Sequence, residues 1–173
     1  MMQNDKFVQD AAADLNLFKI LEIINDTDDE KLLAKCVYIL SGLIYGDNLK
    51  TKLIFLENLD GLSFLYNLLL KTKNNDSVLK RTLNILRDIT KIEENDSDLN
   101  QIRLKSLLKI LDLKLNELLL TILNKSVVSY NDVETSENNS EIRLICYDLL
   151  INLCKSFSSL QEIFIVRIFL ILI

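Results

Sequence analysis

A chain of 173 residues with 49% hydrophobic side chains is long enough to bury a core, and with no proline and only three glycines it holds little that breaks a helix. A net charge of -5 and a pI near 4.8 exclude the basic stripe that nucleic-acid phosphates demand. The absence of histidine excludes Ser-His-Asp and Cys-His pairs and histidine-bearing zinc sites, and with no glycine-rich phosphate loop or paired-carboxylate motif either, an enzyme is not expected.

The first eighteen residues lack the basic-then-apolar pattern of a signal peptide. A helix is expected from Phe7 to Ile24, with Leu15, Phe18, Leu21 and Ile24 as its apolar stripe. Thr27-Asp28-Asp29-Glu30 reads as a capping box that starts the second helix, and the same acids suit the positive end of a helix dipole. That helix carries Leu33, Cys36, Val37, Leu40 and Ile44 and ends near Tyr45. After Gly46-Asp47-Asn48 comes a short helix with Leu53, Ile54 and Leu56. Asp60-Gly61 then opens a helix bearing Leu62, Leu65, Leu68 and Leu69.

Asn74 to Ser77 is a polar break before a helix using Val78, Leu79, Leu83, Leu86 and Ile89. Glu93 to Asp98 is an acidic connector without the glycine and distant glutamate of an EF-hand loop. The leucine-dense span from Leu99 to Leu123 predicts two helices, and residues 126–140 form the longest polar loop. A helix begins at Glu141 with Ile142, Ile145, Leu149, Leu150 and Leu153, and Ser158-x-x-Gln161 caps the last one. The closing apolar run Ile163–Ile173 gives about 16 Å of helix against the ~30 Å hydrocarbon core, so no membrane span is expected. The run reads as a core helix, and the chain as part of a longer array.

Cys36, Cys146 and Cys154 lie in apolar helical runs and read as small core residues. The last two are separated by about 12 Å along one helix, too far for a disulfide. Asn-x-Ser/Thr occurs at Asn25, Asn75, Asn95, Asn124 and Asn138, against about two expected from composition. All five fall at expected helix boundaries, where these residues also serve as caps. The excess points towards a secretory compartment.

The order of long helix, short helix and helix opening at Gly61 is the cadence of an armadillo repeat, a unit that must stack on neighbours to bury its apolar face. Ile39-Leu40-x-x-Leu43 recurs 46 residues on as Ile85-Leu86-x-x-Ile89, near the ~40–47 period of armadillo and HEAT units. The expected fold is an all-α, right-handed armadillo/HEAT-like solenoid in one domain. Its repeats fall roughly at 7–26, 27–71, 76–123 and 141–173.

Three segments carry a further resemblance. Gln9 to Leu15, followed by Thr27 to Leu32, is similar to the "D-A-x-D" opening of the armadillo-type nucleotide exchange factors of seventy-kilodalton heat-shock chaperones. Val37 to Leu43 with Phe55 to Leu65 looks like that family's "ALSxLxR...FLxLxGLxxL" unit, although Tyr45-Gly46 stands where its arginine is usual. Lys80 to Ile89, then an acidic connector, a leucine-rich pair and a polar loop, looks most like the lumenal, Sil-type exchanger of the BiP chaperone.

The resemblance implies a monomer that grips the chaperone ATPase domain in the endoplasmic reticulum lumen and promotes ADP release without a cofactor. The cytoplasm is the alternative compartment, and a generic armadillo protein-binding scaffold is the alternative function. The helix at Gly61–Lys71 leaves Ser63, Tyr66, Asn67 and Leu70 outward as partner contacts, and Lys105, Lys109 and Asp112 are the outward candidates further on.

Overall fold

Leucine and isoleucine at three- and four-residue spacing, with no proline to interrupt them, fold this chain into helices. A computed structural model describes residues 17–45, 49–72, 74–90, 97–128 and 136–156. It is all-helical, with no strand among the described residues. Two compact units divide the chain, residues 1–88 and residues 89–173.

In the first unit, α1 is helical over residues 17–26 and buries Leu17, Leu21 and Ile24. Phe18, expected in that stripe, is 65% exposed, because the buried stripe runs through Leu17 instead. The expected residues before 17 lie outside the described ones. Helix α2, Glu30–Ile44, starts at a different cap from the expected Thr27 box. Asp29 is the N-cap, its Oδ1 accepting from the amides of Lys31 (2.8 Å) and Leu32 (3.1 Å). Thr27 Oγ1 accepts from the Asp29 amide, so it shapes the turn and leaves the first helical donors to the carboxylate. The five core residues expected on α2 are all buried.

The short helix expected around Leu53 is α3, Leu49–Leu53, running directly into a π-helical turn, Ile54–Asn58. The wider turn moves the core position to Phe55, which is fully buried, while Leu53, Ile54 and Leu56 are only half-buried. Helix α4, Gly61–Thr72, buries Leu62, Leu65, Leu68 and Leu69. Its first residue has to be glycine. A Cβ on Gly61 would fall 2.6 Å from Phe55 Cζ and nearer still to other atoms of that ring. Phe55 in turn meets Phe64 edge to face, with centroids 6.3 Å apart.

Helix α5, Asp76–Thr90, is started by Asn75, whose Oδ1 accepts from the Val78 amide at 3.2 Å. The 46-residue echo holds at its centre, where Leu40 and Leu86 are both fully buried. It fails beside it: Ile39 is 49% exposed and Ile85 is buried. Thr82, buried on α5, gives its hydroxyl proton to the Val78 carbonyl and so costs the core no orphaned donor.

In the second unit, α6 (Ser97–Asp112) packs on both α7 (Leu115–Val128) and α8 (Ser136–Ser156), and α7 packs on α8. The joint between α6 and α7 is Lys114 at φ 55°, left-handed without being glycine. Its amide still donates to the Leu111 carbonyl at 2.9 Å. The polar loop expected at 126–140 is shorter than expected at both ends. Residues 126–128 close α7, and α8 begins at Ser136 instead of Glu141, its polar first turns being helical despite the missing apolar period. The expected final helix and its Ser158 cap lie outside the described residues.

Candidate interaction surfaces

Burial of the leucine face of α4 leaves the opposite face open. Asn67 and Leu70 are exposed, Leu70 at 43%, while Ser63 and Tyr66 are half-buried beside them. The four sequence candidates therefore form one strip along the helix, and none lies in the core. At the end of α4, Lys71 Nζ donates to the backbone carbonyls of Thr27 (2.8 Å) and Asn25 (3.3 Å). A cation there satisfies carbonyls left over by the end of α1 and fixes α4 against it. Asp28 Oδ1 stands 3.8 Å from the same ammonium but is fully exposed, so water screens that pair.

Lys105, Lys109 and Asp112 lie on α6, in the second unit. Lys105 and Asp112 are exposed and Lys109 half-buried. They make a polar edge one helical turn apart, with Leu108 at 49% exposure beside Lys109.

Sequence reasoning missed the surface richest in exposed apolar groups. Of the ten large apolar side chains left exposed among the described residues, Leu32, Tyr38, Ile39 and Tyr45 lie on α2 or at its end. Arg81 of α5 lies over the Tyr38 ring, its guanidinium carbon 4.6 Å from the centroid. The available signal was the seven-residue step from Tyr38 to Tyr45 on the face opposite Val37, Leu40 and Ile44. A cleft of about 310 Å³ opens in the same unit, floored by Leu21, Leu59 and Phe64. Phe18, Glu22, Asn25 and Asp26 line its α1 side.

No cluster of three metal-capable side chains occurs among the described residues. None of the three cysteines is in a disulfide; Cys36 and Cys146 are buried and Cys154 half-buried. Burial pushes the Cys146 thiol up to about 12 and also raises that of Cys154, so both stay protonated and weakly nucleophilic at neutral pH. Of the glycosylation sequons, Asn25 and Asn124 are exposed and Asn75 is half-buried as the cap of α5. The side chains of Asn95 and Asn138 lie outside the described ones. No single helix among the described residues is long and apolar enough to cross a membrane. Comparison with protein families, curated proteins and solved structures gives no match.

Proposed function

We propose that this chain is a protein-binding module of stacked helices, working as a nucleotide exchange factor on the ATPase domain of a seventy-kilodalton heat-shock chaperone. The observation that carries the binding reading is the open strip of α4, where Tyr66 and Leu70 face outward among Ser63 and Asn67. An aromatic and an apolar residue in a polar frame match the make-up of interface centres. Support for repeat stacking comes from the 46-residue echo together with the Arg81–Tyr38 contact, which joins a side chain of α5 to one of α2. The exchange reading itself rests on the sequence resemblance.

The mechanism is mechanical and uses no cofactor. The helical surface binds the open form of the ATPase domain more tightly than the closed one, and ADP leaves the open form. A tenfold preference for the open form corresponds to about 1.4 kcal/mol of coupling. Exposed sequons at Asn25 and Asn124 favour a lumenal site of action.

Titration calorimetry against a purified ATPase domain tests the proposal. Binding should be at least tenfold tighter to the nucleotide-free domain than to its ATP complex, and should weaken in Leu70→Glu. Equal affinity for both states would remove the basis for exchange. Binding that ignores nucleotide but is lost in Leu70→Glu would instead support a plain protein-binding scaffold.

A further inference from the structure

We draw no further inference here: the strongest candidate, the cleft of the first unit lined by Glu22 and Asp26 of α1 and by Leu59 and Phe64, carries nothing, because the Lys71 ammonium bound to the Asn25 carbonyl offsets its acidic side and nothing in the structure shows what covers it.

Discussion

Gly61→Ala places one methyl group where the structure has none to spare. Its carbon would lie 2.6 Å from Phe55 Cζ, whereas ordinary contacts begin near 3.4 Å, so the ring has to retreat by most of an ångström. Retreat is opposed, because Phe55 is fully buried and its ring is seated against Phe64 at 80°. Overpacking of this kind costs about 1–3 kcal/mol. Helix propensity pulls the other way, by at most about 1 kcal/mol and by less at the first position of a helix. The net expectation is a loss of about 1–2 kcal/mol, obtained from those two terms. In a urea titration followed by circular dichroism, the midpoint should fall by roughly 0.5–1 M at unchanged slope. Phe55→Leu should relieve the clash, so that the double variant is less destabilised than the two single losses added together. A Gly61→Ala chain as stable as wild type, or more so, would refute the packing argument and leave propensity in control.

Other perturbations have equally definite expectations. Lys71→Met removes the cation from the Thr27 and Asn25 carbonyls and should cost about 1 kcal/mol in the same titration. Asp28→Asn, at a fully exposed partner, should leave the midpoint where it is. Lys114→Gly relieves a left-handed residue at φ 55° and should stabilise by about 0.5–1 kcal/mol; destabilisation would show that the lysine side chain matters more than its backbone. The Cys146 thiol is pushed up to about 12 from an ordinary 9.0, so the folded state holds its proton where the unfolded state releases it. Its contribution is complete below pH 9 and fades as pH rises towards 12, and Cys146→Ala should flatten that alkaline loss. At pH 8, a thiol reagent should modify Cys146 only after urea unfolds the chain.

Periodicity made the long helices legible. Leu33, Cys36, Val37, Leu40 and Ile44 repeat at helical spacing, and all five are buried because nothing competes with that face. The breaks were harder to read. Thr27 and Asp29 both bear acceptors suited to a cap, and the choice between them depends on where α1 ends and on Lys71 meeting the Thr27 carbonyl, a contact from 44 residues away. The π-helical turn carries no propensity signal, and it moves the core position to Phe55. Ser136 to Ser140 looks like loop by composition but joins α8, where tertiary packing of the following turns extends the helix. For the site, the outward strip of α4 followed directly from its leucine stripe. The Tyr38–Arg81 pair did not, because it joins residues 43 apart in the chain, one on α2 and the other on α5.

Stopped-flow release of a fluorescent ADP analogue from a seventy-kilodalton chaperone ATPase domain tests the proposed function most directly. Saturating chain should accelerate release at least tenfold, the counterpart of about 1.4 kcal/mol of preference for the open domain. The acceleration should disappear in the Tyr66→Ala, Leu70→Glu variant while its helical spectrum and melting temperature persist. An unchanged release rate with the folded wild-type chain, or full acceleration by that variant, would contradict the account.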